Sequence, residues 1–344
     1  MLRESAVAKF VPGLQHKELL CLRELSARVG NDPLLVQASN GNTSIKIDGS
    51  LWIKASGKWL AHAMHEEMFV RLDLAEVKKF VEAGSELSEF SSGEDEAAPS
   101  IETAMHAVLV HRVVIHVHSI NTIAWAIRMD GPEHLRERLA GLRWKWIPYA
   151  ASGIPLAREI EKAVGGAPET DILILGNHGL VVCGRDCETA EKLLSEVERR
   201  LMITPRSVPQ PDTEALGTMA SSMKWQFPDI DEVHALGTDA VSRKILSGGV
   251  LYPCQAIFLG ATMPVVPASR VVAAFKESQK SREHGPAFVA VERTGVMLSR
   301  EVTRAQRATL LGLVQVTQRT EPAAPLRYLK SEEVTDLLAR GTYR

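Results

Sequence analysis

Hydrophobic and polar residues alternate with two different periods along the chain, which predicts a mixture of helices and strands. Between His16 and Val29, apolar residues recur every three or four positions among charged ones, and this spacing predicts an amphipathic helix that ends at Gly30. The β-branched runs 113–118 and 171–175 predict buried strands. Asp48-Gly49 separates two alternating runs, a pattern typical of a β-hairpin.

The pattern changes after residue 203, where a proline-rich stretch predicts a linker. We expect three units: a large domain over 1–203, a linker over 204–217 and a smaller α/β extension over 218–344. Within the extension, the sequence predicts a helix over 230–246, strands over 255–259 and 288–293, and helices over 303–317 and 331–338. The sequence of this extension predicts no catalytic, binding or metal-ligating residues.

Composition limits the classes of partner. The 344 residues carry a formal net charge of −2, which gives no electrostatic reason to expect nucleic acid or an anionic membrane as a partner. Charges interrupt the N-terminus before an apolar run develops, and no stretch is long and apolar enough to span a bilayer, so neither a secretory signal nor a membrane span is expected. The four scattered cysteines predict reduced thiols in a cytoplasmic protein.

Stretch 85–98 is rich in Ser, Glu, Asp and Gly, which predicts a mobile acidic surface loop without chemistry of its own.

Candidate chemistry is concentrated in four polar side chains. His116 and His118 are two apart on a predicted strand and therefore point to the same face. His178 follows another predicted strand, and Glu102 lies at a predicted helix start. Three imidazoles and a carboxylate are a ligand set typical of catalytic zinc. The alternative is that these are hydrogen-bonded core histidines. The pair argues against it, because burying two adjacent rings without partners costs roughly 1–3 kcal/mol each.

His106 lies four residues after Glu102, so the two side chains share one face of the predicted helix. The functional interpretation makes Glu102 an acid/base and His106 a residue that supports the centre without binding metal. The alternative is an ordinary surface pair.

Five short motifs occur in the order found in the class II aldolase/adducin family, which the chain resembles over roughly residues 15–203. They are Gly41-Asn42-Thr43-Ser44, Ser56-Gly57, Pro99 to His106, His116 to His118, and Asn177-His178-Gly179. The resemblance implies an α/β, three-layer fold with a central, mainly antiparallel sheet flanked by helices. It also implies a homotetramer with sites between subunits.

In the sugar-phosphate aldolases of this family, matching residues hold the substrate phosphate. Carried over by resemblance, these are Gly41, Asn42, Ser56, Gly57 and Ser100. Where phosphate users often have a second serine, this chain has Ile101, which removes one hydroxyl donor. Lys54 or Lys58 would compensate with positive charge, although a lysine beside a strand end usually lies in solvent.

The resemblance implies a divalent-metal-dependent aldolase, with Zn²⁺ or another cation such as Mn²⁺ or Co²⁺, that cleaves a ketose phosphate or related sugar acid through an enediolate. His116, His118, His178 and Glu102 would bind the metal, and Glu102 would then act as base, a role favoured if burial raises its pKa.

Three alternatives stay open. A sugar-phosphate 4-epimerase is one, although the resemblance implies that the epimerase branch of the family carries Asp at the position of Glu102. An oxo-sugar-acid phosphate decarboxylase is another, and a non-catalytic, adducin-like interaction module is the third, although adducins lack the metal histidines. The family's general-acid tyrosine has no assigned counterpart among Tyr149, Tyr252, Tyr328 and Tyr343.

Overall fold

The computed structural model describes residues 12–85, 97–221, 225–228, 230–273 and 286–339. Seven strands form a sheet in the first 203 residues, which we call the N-terminal part. They are β1 Asn42–Ile47, β2 Ser50–Lys54, β3 Phe69–Asp73, β4 Val113–Val117, β5 Trp144–Ile147, β6 Ile172–Leu175 and β7 Gly179–Gly184. Their order is β3-β2-β1-β4-β7-β6-β5, and every pair is antiparallel except β5 and β6.

Seven helices cover this sheet: α1 Pro12–Gly30, α2 Leu74–Ala83, α3 Thr103–Val108, α4 Ile120–Ala126, α5 Gly131–Arg138, α6 Ile154–Val164 and α7 Cys187–Leu201. Alternate residues of β4 show the layering. Ile115 packs into a core shared with α1 and α7, whereas Val114 packs into a core shared with α3 and α6. Because neighbouring strand residues face opposite sides, the sheet lies between two helical layers. The predicted α/β class with a central, mainly antiparallel sheet is confirmed.

The predicted hairpin connects β1 and β2. Asp48 and Gly49 both have positive φ, 47° and 76°, as the favoured two-residue hairpin turns require. Local signals also define α2, because the Asp73 side chain accepts from the Glu76 N–H at its start and Gly84 ends it in the left-handed conformation.

Residues 204–339, the C-terminal part, contain a second, four-stranded sheet in the order β8-β11-β10-β9. Its strands are β8 Trp225–Gln226, β9 Val265–Val266, β10 Phe288–Val291 and β11 Gly295–Ser299. The helices described here are α8 Thr213–Ser221, α9 Ala235–Thr238, α10 Ala240–Ser247, α11 Arg304–Arg319 and α12 Ser331–Ala339. The smaller C-terminal α/β region is therefore confirmed.

Two expectations for this region need correction. The predicted helix over 230–246 is broken at Asp239, whose backbone is extended and whose side chain caps α10 by accepting from two N–H groups. The predicted strand over 255–259 is wrong, because Gln255–Leu259 forms a π-helical turn. A five-residue apolar run does not distinguish a strand from a buried helical turn. Helix α8 begins at Thr213, inside the range predicted as linker.

The division of the chain into domains stays a prediction. Most of the predicted acidic loop, residues 86–96, lies outside the described residues. Across the described ranges, no helix combines the length and apolar character that crossing a membrane requires.

Candidate functional site

The three predicted imidazoles converge at one end of the large sheet. His116 is the fourth residue of β4, His118 directly follows that strand, and His178 lies in the turn between β6 and β7. Strand β7 pairs with β4, so this turn lies beside the end of β4. Each ring offers a nitrogen within 4.8 Å of the others, and all three side chains are buried.

The donor set fits a metal ion. His116 Nδ1 donates to the Leu180 carbonyl at 3.0 Å, which leaves Nε2 as the ring nitrogen directed into the site. Burial lowers the pKa of His118 well below its ordinary value and lowers the pKa of His178 to about 4. These two rings are therefore neutral at pH 7, the form that binds a metal. Among the described residues, His178 Nδ1 has no hydrogen-bond partner.

Glu102 completes the set from the residue before α3. Its Oε2 lies 3.3 Å from His116 Nε2, and its Oε1 lies 3.2 Å from His178 Nε2. Asn42 Nδ2 donates to Oε2 at 2.8 Å, and Ser152 Oγ donates to Oε1 at 3.3 Å. Three imidazoles and a carboxylate around one point are a ligand set suited to zinc and similar divalent cations.

The charge state of Glu102 reflects two opposing effects. Burial favours the neutral acid, but the imidazoles of His116, His178 and His118 and the hydrogen bond from Asn42 outweigh it, so the pKa lies below its ordinary value. The condition named for the base role, a pKa raised by burial, is therefore not met. The ionised carboxylate is the form that a metal ligand or a base needs.

His106 acts on Glu102 through Asn42. The Asn42 amide nitrogen donates to the carboxylate, so its Oδ1 is the acceptor for His106 Nε2–H. His106 Nδ1 then accepts from Ser44 Oγ at 2.7 Å. This chain of hydrogen bonds fixes the amide of Asn42 and, with it, the orientation of Glu102.

The residues predicted to hold an anion line one cavity of about 90 Å³ together with Glu102, His118 and His178. They are Gly41, Asn42, Ser56, Gly57 and Ser100. Gly41 has a φ of 66°, and a Cβ there would lie 2.8 Å from the His116 carbonyl oxygen, so only glycine fits this approach to β4. Ile101 also lines the cavity.

Lys54 is buried in the wall of this cavity, contrary to the expectation of a solvated side chain. Its ammonium donates to the carbonyls of Ser39 at 3.0 Å, Ala55 at 3.3 Å and Lys58 at 2.7 Å. Within the described ranges, no carboxylate lies within ion-pair distance of it. Burial lowers the pKa of Lys54 to about 7, partly offset by the charge of Glu102. Lys58 instead pairs with Glu66 at 3.1 Å.

The sequence did not reveal the far wall, which the C-terminal part provides through Pro253, Cys254, Ile257 and Phe258. Cys254 Sγ lies 2.9 Å from His118 Nδ1. No local pattern could have revealed this contact, because the two residues lie 136 positions apart.

None of the described tyrosines lines the cavity. Tyr149 lies under the guanidinium of Arg327 at 4.9 Å, Tyr328 donates to the Ile245 carbonyl, and Tyr252 is buried in the C-terminal core. Tyr343 lies outside the described residues. The general acid therefore has no assigned residue.

Comparison with known proteins gives one curated relative and several solved structures. The chain is 29% identical over 190 residues to the uncharacterized oxidoreductase YuxG of Bacillus subtilis, and this match covers 49% of the chain and 27% of the relative's length. The chain thus spans about a quarter of that protein.

Two solved structures are similar. The N-terminal class II aldolase domain of a conserved Thermoplasma acidophilum protein has a TM-score of 0.47 at 21% identity, covering 58% of this chain and 97% of that one. The L-fuculose-1-phosphate aldolase of Thermus thermophilus has a TM-score of 0.39 at 16% identity, covering 55% and 93%.

The family comparison covers more than half of the chain and includes every predicted site residue. The family described as Class II Aldolase and Adducin N-terminal domain matches residues 24–204. This range agrees with the extent of the resemblance read from the motifs. The chain therefore belongs to the class II aldolase and adducin N-terminal domain family.

Proposed function

We propose that this protein is a divalent-metal-dependent aldolase that cleaves a carbon–carbon bond in a ketose phosphate or related sugar acid. One observation carries the proposal: His116, His118, His178 and Glu102 converge beside the cavity that the five residues proposed to hold an anion also line. A pure interaction module does not need this arrangement, since buried imidazoles without a ligand cost stability.

The three imidazoles would hold Zn²⁺, or alternatively Mn²⁺ or Co²⁺. A bound divalent cation supplies a Lewis acid that stabilises the developing enediolate. Because neutral imidazoles add no charge, they leave the full positive charge of the cation for the substrate oxygens.

Glu102 would bind the metal at rest and act as base when substrate displaces it. Its carboxylate would accept the proton of the hydroxyl next to the breaking bond, so that this carbon leaves as an aldehyde. The hydrogen bond from Asn42 keeps the carboxylate oriented towards the imidazoles.

In the same cavity, Ser56, Ser100 and the backbone beside Gly57 would donate to the substrate's anionic group. Lys54 would add positive charge there, which compensates for the hydroxyl that Ile101 removes. Assembly as a homotetramer is part of this proposal and is measurable by light scattering after size exclusion.

Metal analysis and a substrate screen test the proposal. We expect about one divalent ion per chain, aldehyde release from a ketose phosphate or sugar acid, and loss of both in His116→Ala. Glu102→Gln should lower the rate by about 10²–10⁴-fold, the range typical of a lost acid/base.

The products separate the competing functions. An epimeric sugar phosphate without aldehyde would indicate the epimerase, and carbon dioxide would indicate the decarboxylase. A metal-free wild-type protein that His116→Ala leaves unchanged would reject the enzyme proposal in favour of an interaction module.

A further inference from the structure

The rings of His116 and His118 are held by different parts of the chain. His116 Nδ1 donates to the carbonyl of Leu180, a residue of the same sheet. His118 Nδ1 faces Cys254 Sγ at 2.9 Å, and Cys254 comes from the C-terminal part. Among the described residues, the Cys254 thiol is the hydrogen-bonding group that contacts His118 Nδ1. The orientation of His118 therefore depends on a residue that the family motifs do not include.

The two nitrogens of His118 are coupled through the ring. His118 Nε2 lies 3.1 Å from His116 Nε2, whose lone pair faces it because the His116 proton is on Nδ1. Without a cation between the rings, His118 must carry its proton on Nε2 and accept from the thiol at Nδ1. When Nε2 binds a cation, the proton must be on Nδ1 and donate to the sulfur. A thiol serves both states, because it is a weak donor and a weak acceptor.

The thiol is held rigidly. Cys254 is buried and immediately precedes the π-helical turn Gln255–Leu259. The buried Gln255 side chain accepts from the Leu251 N–H at 2.8 Å, which closes the segment on itself. A rigid partner is what a ring needs if its direction is to be fixed.

A second, separate set of hydrogen bonds connects the C-terminal part to Asn177, the residue before the third histidine. Asn177, which precedes His178 and has a φ of 52°, donates through Nδ2 to the carbonyls of Leu251 at 2.9 Å and Arg327 at 2.8 Å. Arg327 Nη1 donates to Asn177 Oδ1 at 3.1 Å. The whole amide is thus occupied by the C-terminal part.

We propose that Cys254 is a positioning residue for His118, and that the C-terminal part thereby completes the metal centre within a single chain. This inference rests on the proposed metal-dependent function. It assigns a role to the region for which the sequence gave none, since residues behind metal ligands fix ring orientation and strengthen ligand binding.

Zinc affinity of the full-length protein, measured by competition with a chromophoric chelator, tests the inference. Cys254→Ala leaves His118 Nδ1 without a partner and should weaken zinc binding about 10–100-fold. Cys254→Ser keeps a group that both donates and accepts, so its zinc affinity should stay within about threefold of wild type.

Cys183→Ala is the matched control, because Cys183 is equally buried but lies in β7 among apolar residues away from the cavity. Its zinc affinity should equal that of wild type. The melting temperature of each metal-free variant shows whether a loss of affinity follows from general destabilisation.

The inference is overturned if Cys254→Ala loses no more zinc affinity than Cys183→Ala. The proposed function fails by a different result, namely that wild type binds no divalent ion or that His116→Ala binds it equally well. The two failures are therefore distinguishable.

Discussion

At the scale of the residue, Lys54 is the side chain whose surroundings demand an explanation. A buried ammonium is costly unless an opposite charge meets it, and three carbonyls supply dipoles but no charge. Because the ammonium lies in the wall of the cavity beside Ser56 and Ser100, a substrate anion would supply the missing charge.

Replacing Lys54 tests this interpretation. Sulfate is a suitable probe, because its charge does not change near neutral pH. Lys54→Met should weaken sulfate binding by roughly tenfold, which corresponds to about 1.4 kcal/mol, as measured by calorimetry. The control Lys58→Met should bind sulfate normally, because Lys58 pairs with Glu66.

The pH dependence has a definite sign. Since the pKa of Lys54 is lowered to about 7, its positive charge is present below pH 7 and is lost as the pH rises through 7. Sulfate binding by wild type should therefore weaken between pH 6 and 8, whereas binding by Lys54→Met should change little. If sulfate binding by wild type and by Lys54→Met changes with pH in the same way, the charge of Lys54 does not contribute to anion binding.

The sequence predicted which histidines form the candidate site, but it did not predict which side chains from other segments lie against them. His116 and His118 share a face because strand geometry places alternate residues on one side. The burial of Lys54 and the contact of Cys254 depend on how distant segments pack, which no local pattern records.

At the scale of the element, the pairing of β4 and β7 sets the spacing of the histidines. Gly179 begins β7, and a Cβ there would lie 2.5 Å from the Val117 carbonyl oxygen and 3.4 Å from His116 Cε1. The two strands approach this closely only because Gly179 has no side chain.

We expect Gly179→Ala to lower the free energy of unfolding by about 1–3 kcal/mol and to weaken zinc binding, because the added methyl group forces β7 away from β4. Gly217→Ala is the control. Nothing lies within 4 Å of a Cβ at Gly217, which lies in α8, so alanine there should be neutral or stabilising by up to about 1 kcal/mol. Urea unfolding measures both. Equal effects of the two substitutions would contradict a tight contact at Gly179.

Strands β4 and β6 were predictable because they lie in short apolar runs rich in β-branched residues, with polar or glycine residues at their boundaries. In the C-terminal part, Asp239 interrupts an otherwise helical pattern by capping α10 and pairing with Arg206 at 2.6 Å. That interruption depends on an arginine from the preceding segment, so helical periodicity alone did not predict it.

At the scale of the whole molecule, the two parts of the chain share a hydrophobic core. Helix α4 belongs to the N-terminal part, yet its Ile120 and Ile123, and Ile127 directly after it, are fully buried in a cluster formed mainly by the C-terminal part. Helix α4 begins two residues after His118, so the shared core and the three-histidine site are close along the chain.

A chain that ends at residue 203 should not fold stably. Exposing three isoleucines costs roughly 5–9 kcal/mol at 1.5–3 kcal/mol each, which is comparable to the whole stability of a typical domain. We expect no cooperative thermal transition by circular dichroism, and aggregation during size exclusion.

Substituting threonine for the three isoleucines in the shortened chain is the control, since it should reduce aggregation if their exposure is the cause. A shortened chain that melts like the full-length protein would show that the shared core contributes little.

The bonds of Asn177 to Arg327 also have a consequence for biosynthesis, because the two residues lie 150 positions apart. During translation, the sheet that carries all three histidines leaves the ribosome well before Arg327 is synthesised. Asn177, adjacent to the third histidine, therefore meets its final partners only after Arg327 has emerged. A nascent chain stalled before that point would therefore capture zinc more weakly than the released protein.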